Sequence, residues 1–303
     1  MIRTLIQAKT LSLILLLFTA SYSYSSSNQT VKAPFMWHIK TETSNLYLAG
    51  SIHALNSDFY PFSPAYLAAF NSVDNLVVEI NVNALDAKAS KAFIDSLTWL
   101  PNKMSLETRL KSADINKLTP FAKAKGMSIQ TLLKLRPWII LEMLTSYQLA
   151  QTDFQAQLGV DQFFIKKAQQ NNKPILELET LSEQINAING AEMSAQVAAI
   201  SLALSQLDDG QEQLLELANF WQSADDKGLY QYNQEDLIAQ PEIAPLMATL
   251  LDDRNHTMAT KIAHYLETGG SYFVMVGALH LAGPNSVQNL LKQKGYELIK
   301  AEK

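Results

Sequence analysis

The sequence predicts an α/β fold in which strands from both ends of the chain form one central sheet and a large, mainly helical insertion lies between them. Strand and helix patterns alternate at both ends of the 303-residue chain, whereas residues 85–267 show the apolar spacing of helices. Both ends also carry one motif: an apolar strand, a glycine, two further residues and a histidine. We therefore expect a single domain over residues 27–303, with a helical lobe at about 85–267.

The first 26 residues are predicted to be a signal peptide. Arg3 and Lys9 precede an apolar run at residues 11–20, and a small, serine-rich stretch follows. That run is too short to span a bilayer, so we expect export to the periplasm or secretion. An uncleaved anchor is the alternative, because no clean A-x-A cleavage site is visible. No later apolar run reaches the ~20 residues of a membrane helix, which predicts no stable membrane span after cleavage.

The N-terminal elements are predicted from alternating apolar residues and from turn and cap signals. Two strands separated by the polar residues 41–45 should form a hairpin, and Ser63 followed by Pro64 is typical of the start of a helix. The predicted elements are strands at 35–40, 46–51 and 73–82 and a helix at 64–70.

The remaining elements follow from the same signals. Helical spacing is clearest at 191–207, 211–223 and 252–266, and one strand, at 174–178, interrupts the helices. The chain should finish with a strand at 272–276, a helix at 284–294 that Gly295 ends, and a strand at 296–300.

Composition excludes several functions. A net charge of -5 without clustered Lys or Arg argues against nucleic-acid binding. The chain has no cysteine, so any metal must be held by His, Asp or Glu. The glycine-rich phosphate loops of nucleotide-binding proteins and the G-x-S-x-G motif of serine hydrolases are also missing from the sequence.

The repeated motif predicts the functional site. Gly50 and His53 follow one apolar strand, and Gly277 and His280 follow another. Glycine permits the turn that lets a histidine project from the strand end, where ligands bind in open α/β sheets. Two neutral imidazoles at such a crevice suit a divalent metal. The alternative is that both are ordinary strand ends with hydrogen-bonded histidines, because G-x-x-H is a less specific spacing than H-E-x-x-H.

Glu79 is the candidate carboxylate, because it follows the apolar residues 76–78. If its strand is central, burial of the carboxylate requires a cation or hydrogen-bond donors, and Glu79 is a metal ligand or a general base. If its strand lies at an edge, Glu79 faces water. Together with His53 and His280, it would form a metal shell with a position open for water.

Four further residues form a second group of candidates. Asp161 stands at a predicted helix start and Glu179 follows a predicted strand, but Asp161 could simply favour a helix N-terminus and Glu179 could simply be solvated. Arg254 and Asn255 could bind an anionic substrate group or polarise a carbonyl as catalytic residues. A structural salt bridge is the alternative for this pair.

Read in order, the chain's motifs resemble a known family. They are residues 46–53, Tyr60 and Pro61, residues 76–80, Gly159 and Asp161, Lys173 and Pro174, Leu178 to Thr180, Gln184, Arg254 and Asn255, and residues 276–283. This ordered set resembles the TraB/GumN family, relatives of the Tiki-type metallopeptidases, and is most similar to its exported GumN branch. The resemblance implies a fold akin to the erythromycin-esterase and ChaN-like group, with a divalent metal ion (Mn, Co or Zn) near His53, Glu79 and His280.

The leading functional hypothesis is therefore an exported metal-dependent hydrolase, a peptidase, that acts on a peptide or small-molecule substrate. One alternative is a non-enzymatic protein that binds haem or a peptide in the same cleft. Another, which only the family name suggests, is an accessory role in polysaccharide assembly.

Overall fold

The structure is a computed structural model that describes residues 34–301, so the predicted signal peptide lies outside the described residues. In this range one mixed sheet contains six strands in the order β4-β3-β5-β2-β1-β6. The strands are β1 (Met36–Lys40), β2 (Ser44–Ser51), β3 (Asn75–Val78), β4 (Ile175–Glu177), β5 (Gly270–Gly277) and β6 (Ile299–Lys300). The C-terminal strand β5 lies between the N-terminal strands β3 and β2 in this one sheet, which confirms the predicted α/β architecture.

The described residues contain thirteen α-helices. They are, in chain order, α1 (Pro64–Asn71), α2 (Ala87–Ser96), α3 (Ser112–Ala124), α4 (Ile129–Leu132), α5 (Pro137–Leu149), α6 (Val160–Gln170), α7 (Leu181–Asn189), α8 (Met193–Ser205), α9 (Gly210–Gln222), α10 (Asp226–Ala239), α11 (Ala244–Met247), α12 (Asp253–Thr268) and α13 (Val287–Gln293). Of these, α1 precedes β3, α13 follows β5 and the rest lie between these two strands on either side of β4. A π-helical turn, Ala248–Asp252, leads directly into α12. The helical insertion predicted between the two halves of the sheet is thus present.

Local sequence explains most boundaries. The predicted hairpin forms, because β1 and β2 pair antiparallel with Lys40 opposite Asn45. Ser63 caps α1 as predicted, since its hydroxyl accepts the Ala65 N–H and Pro64 needs no donor there. Several predicted elements are shorter than expected, most clearly at three places: the strand at 73–82 is only β3, the helix at 284–294 begins at Val287, and the strand at 296–300 is only β6.

The two largest of the four apolar clusters among the described residues support this arrangement. The larger surrounds the sheet, where β5 is buried almost throughout because helices cover both faces. The second lies inside the helical insertion and joins α3, α4, α5 and α8. Among residues 34–301, no helix has the length and apolar character that crossing a membrane requires.

Strand direction decides where the site can form. The strands β4, β3, β5 and β2 are mutually parallel, so their carboxyl ends meet at one edge of the sheet. Such an edge is the usual ligand crevice of an open α/β sheet.

Candidate functional site

Three neighbouring strands bring His53, Glu79 and His280 together. Glu79 follows β3, His280 follows β5, and His53 lies two residues beyond β2. The Oε1 atom of Glu79 is 3.8 Å from Nε2 of His280. A β-carbon placed on Gly277 would be 3.2 Å from Oε1 of Glu79 and 3.4 Å from Nε2 of His53. All three polar groups therefore surround the Cα atom of Gly277, and the absence of a side chain there leaves room for them.

His53 is fixed from its outer side by Asp161. Its Nδ1 atom is 2.8 Å from Oδ2 of Asp161, which stands in the first turn of α6. Gly159 allows this approach, because a β-carbon there would come within 2.3 Å of the His53 carbonyl oxygen. The charge of Asp161 raises the pKa of His53, although solvent around the ring, which is 53% exposed, limits the increase. His53 is thus the solvent-facing member of the group.

His280 is the buried member. Its Nδ1 atom is 2.6 Å from Oδ1 of Asn255, whose own amide nitrogen donates to the Asn285 carbonyl. Because that donation turns the amide oxygen toward the ring, Nδ1 of His280 carries the hydrogen and Nε2 presents its lone pair. Burial lowers the pKa of His280 to about 4, against the opposing charge of Glu79. His280 is therefore a neutral imidazole at neutral pH.

Glu79 is a buried carboxylate in the interior of the sheet, which answers the question that its strand left open. Its side chain is 7% exposed, Oε1 accepts the Gly277 N–H at 2.6 Å, and Oε2 pairs with Nη2 of Arg254 at 2.7 Å. Burial opposes its ionisation, but the neighbouring His280, Arg254 and His53 outweigh burial and lower its pKa to about 2. Glu79 is consequently held as an anion.

Arg254 joins Glu79 to Glu179. Its Nε donates to Oε1 of Glu179 at 2.8 Å, and its Nη2 lies 2.6 Å from Oε2 of the same carboxylate. The π-helical turn before α12 also participates, since Nη1 of Arg254 donates to the Leu250 carbonyl at 3.1 Å. Burial opposes the charge of Arg254, but the hydrogen bond to Glu179 and both carboxylates raise its pKa. In this structure the predicted salt bridge of Arg254 is present, and Asn255 contacts His280.

Two residues that contact the site were not among the candidates predicted from the sequence. Gln184, which was noted only as part of the ordered motif set, lies 3.4 Å from Oε2 of Glu79 through its Nε2 atom. Trp221, on α9, donates its indole N–H to the Gly50 carbonyl at 2.8 Å and so fixes the first G-x-x-H turn. Nothing in the spacing around Trp221 signals this contact, because its neighbours show only ordinary helical amphipathicity.

The arrangement of the centre and its donor chemistry differ in how well they suit a metal ion. Within residues 34–301, no group of three or more His, Asp or Glu side chains is arranged so that it could hold one. The donor chemistry of the centre does fit a divalent cation. Each histidine has its Nδ1 fixed by a polar partner, which is how proteins orient metal-binding imidazoles, and Glu79 adds an anionic oxygen.

Comparison with known proteins places the chain in a family. The model of the TraB/PrgY/gumN family matches residues 35–299, so the protein belongs to this family. Among relatives, the uncharacterized protein YbaP of Escherichia coli (strain K12) is 27% identical, over 82% of this chain and 88% of that protein. YbaP of Shigella flexneri is also 27% identical, over 81% and 87% of the two chains. Metalloprotease TIKI2 of Danio rerio is 23% identical, over 87% of this chain but 60% of its own length. No solved structure is significantly similar.

Proposed function

We propose that this protein is an exported, metal-dependent hydrolase that cleaves peptide bonds. The observation that carries the proposal is that Oε1 of Glu79 and Nε2 of His53 both lie against Gly277, while Nε2 of His280 is 3.8 Å from the same carboxylate oxygen. The similarity to a relative named as a metalloprotease supports the same reaction class. Family membership alone is a weaker reason, because related folds carry different activities.

His53, Glu79 and His280 would hold the metal ion, with Mn, Co or Zn as the expected identities. The cation supplies Lewis acidity, which polarises a substrate carbonyl and makes water a better nucleophile. Glu79 serves as a ligand rather than a general base, because Arg254 and the Gly277 N–H already occupy its oxygens and keep it ionised. A carboxylate held in this way accepts a proton poorly at neutral pH.

The flanking residues keep the three donors in place. Asp161 orients His53, and Asn255 fixes the tautomer of His280. Arg254 places one positive charge between the carboxylates of Glu79 and Glu179. We assign Arg254 and Asn255 this positioning role in place of the substrate contact expected from the sequence. Substrate would approach from the side of His53, whose side chain is half-exposed while that of His280 is buried.

The first test is elemental analysis of purified protein. Wild type is expected to retain a transition metal after gel filtration, and His53→Ala and His280→Ala are expected to lose it. His264→Ala is the matched control, since His264 is an exposed histidine of α12 outside the site. Equal metal content in wild type and both site variants would refute the ligand assignment.

The second test is cleavage of a peptide library with added Mn, Co or Zn. We expect wild type and His264→Ala to cleave peptides. Both site variants should cleave them at least about a hundredfold more slowly, because each variant loses a metal ligand. Absence of cleavage under every metal, combined with a Soret band on haem addition, would instead favour the non-enzymatic haem-binding alternative.

A further inference from the structure

Ser51 is a buried hydroxyl without a partner. It is the last residue of β2 and is 1% exposed. Among the described residues, its Oγ atom has no hydrogen-bond partner. Such a group gives up its hydrogen bonds to water on folding and gains none in return, which destabilises the folded state. An alanine would avoid this cost, and Ser51 differs from other residues of this kind in its position beside the site.

Strand pairing shows where the Ser51 side chain points. Ser51 lies opposite Gly277 in the parallel pair of β2 and β5. Residues opposite each other in a sheet project toward the same face, and adjacent strands are about 4.8 Å apart. A β-carbon on Gly277 would meet Glu79 and His53, so Ser51 projects toward the face that holds the site. Gly50 points the other way, since a β-carbon there would come within 2.7 Å of the Phe35 ring.

We propose that Ser51 is a further catalytic residue, whose hydroxyl hydrogen-bonds the attacking water during peptide hydrolysis. This inference rests on the proposed function. Ser51 keeps its proton and forms no covalent bond. The water oxygen joins the carbonyl carbon, and a water proton passes to the amine nitrogen as the C–N bond breaks.

Burial favours water over a substrate side chain as the partner. The side chains of Glu79 and His280 are 7% and 5% exposed, so only a small molecule reaches this depth. A serine hydroxyl both donates and accepts, and it can therefore orient water whichever way that water's hydrogens point. The hydroxyl has no hydrogen-bond partner among the described residues, so its donor and acceptor are both available to the attacking water.

The test combines stability with kinetics in Ser51→Ala and Ser51→Thr. In metal-free protein, Ser51→Ala should melt at the same temperature as wild type or higher, because it removes an unpaired polar group. With metal, its kcat should fall about tenfold or more while KM and the metal content stay unchanged, as expected for one lost hydrogen bond in the transition state. Ser51→Thr, which keeps the hydroxyl, should restore most of the rate.

Ser286→Ala is the matched control. Ser286 also carries a fully buried hydroxyl without a partner among the described residues, but it stands just before α13. This variant should share the thermal behaviour of Ser51→Ala and retain the wild-type kcat.

Two results would overturn the inference. A lower melting temperature for metal-free Ser51→Ala would show that the hydroxyl has a structural role, and an unchanged kcat would show that it takes no part in the reaction. If wild type itself cleaves no peptide with any metal, the proposed function fails and the role of Ser51 falls with it. An active wild type beside an equally active Ser51→Ala separates the two failures.

Discussion

Replacing Arg254 with methionine should destabilise the protein, and the loss should depend on pH. Arg254 pairs with the carboxylates of both Glu79 and Glu179, whose side chains are 7% and 2% exposed. Removal of one partner from a buried ion pair costs about 3–5 kcal/mol, because it leaves an uncompensated charge. The lowered pKa of Glu79 agrees in direction, because Arg254 is one of the groups that keep its buried carboxylate ionised.

The sign of the pH dependence follows from the pKa of Glu79. In wild type, the folded pKa of Glu79 lies below the unfolded value. The stabilisation of the folded protein by ionised Glu79 is therefore complete above about pH 4.5 and is lost as the pH falls toward 2. In Arg254→Met, burial remains but the cation is gone, so the folded pKa of Glu79 rises. At low pH, Glu79 is then protonated in the variant, which removes its uncompensated charge and reduces the destabilisation. The difference in unfolding free energy should therefore be large at pH 7 and smaller at pH 4.

The assay is urea unfolding of metal-free protein at both pH values. The m value, which is the slope of the unfolding free energy against urea concentration, should be the same in wild type and variant. Lys91→Met is the control, because the Lys91–Asp95 ion pair joins side chains that are 49% and 47% exposed. An exposed pair of this kind contributes only about 0.5 kcal/mol or less. A loss below about 1 kcal/mol for Arg254→Met at pH 7, or an equal loss at both pH values, would refute the assigned role of Arg254.

Three further substitutions probe the surroundings of the histidines. Trp221→Phe keeps an aromatic ring but removes the donor to the Gly50 carbonyl, so urea unfolding should show a loss of about 1–2 kcal/mol. Gly277→Ala would place a methyl group 3.4 Å from Nε2 of His53, and elemental analysis should find a large loss of metal with the fold retained, as judged by circular dichroism. Asp161→Asn removes the charge that raises the pKa of His53, so an NMR titration should find that pKa lower than in wild type; an unchanged value would contradict the pairing.

Sequence reasoning could single out His53, Glu79 and His280 as candidates because their signals are local. Apolar strands, the glycines at 50 and 277, and the histidines three residues later lie within short segments, and a pattern of this length can be read directly. Glu79 was identifiable because a carboxylate directly after a buried strand needs a compensating partner. The structure brings these groups together, although their roles as metal ligands and catalytic residues stay predictions.

The partners were harder to predict because they come from distant parts of the chain. His53 and Asp161 are 108 residues apart, and Glu79 and Arg254 are 175 apart. No periodicity connects such positions, and only the packing of helices on the sheet decides which side chains meet. The sequence therefore left Arg254 open between a substrate contact and an ion pair.

The strand predicted at 73–82 is shortened for a related reason. Residues 79–82 alternate polar and apolar types as a strand does, but β3 ends at Val78 and the Glu79 side chain turns toward Gly277 and Arg254. Sequence pattern records the alternation of such residues but not the hydrogen bonds that their side chains make.

The helical insertion is best understood as the part of the protein that sets the geometry of the site. The sheet brings the three donors to one edge, but each then depends on a side chain from a helix. His53 is held by α6, Glu79 by α12 and α7, and His280 by α12. The turn before His53 is fixed by α9. Because three parallel strands alone would leave these long side chains free to change rotamer, precise placement requires the insertion. A substitution that loosens α12 should therefore disturb Glu79 and His280 together, whereas one in α6 should act on His53 alone.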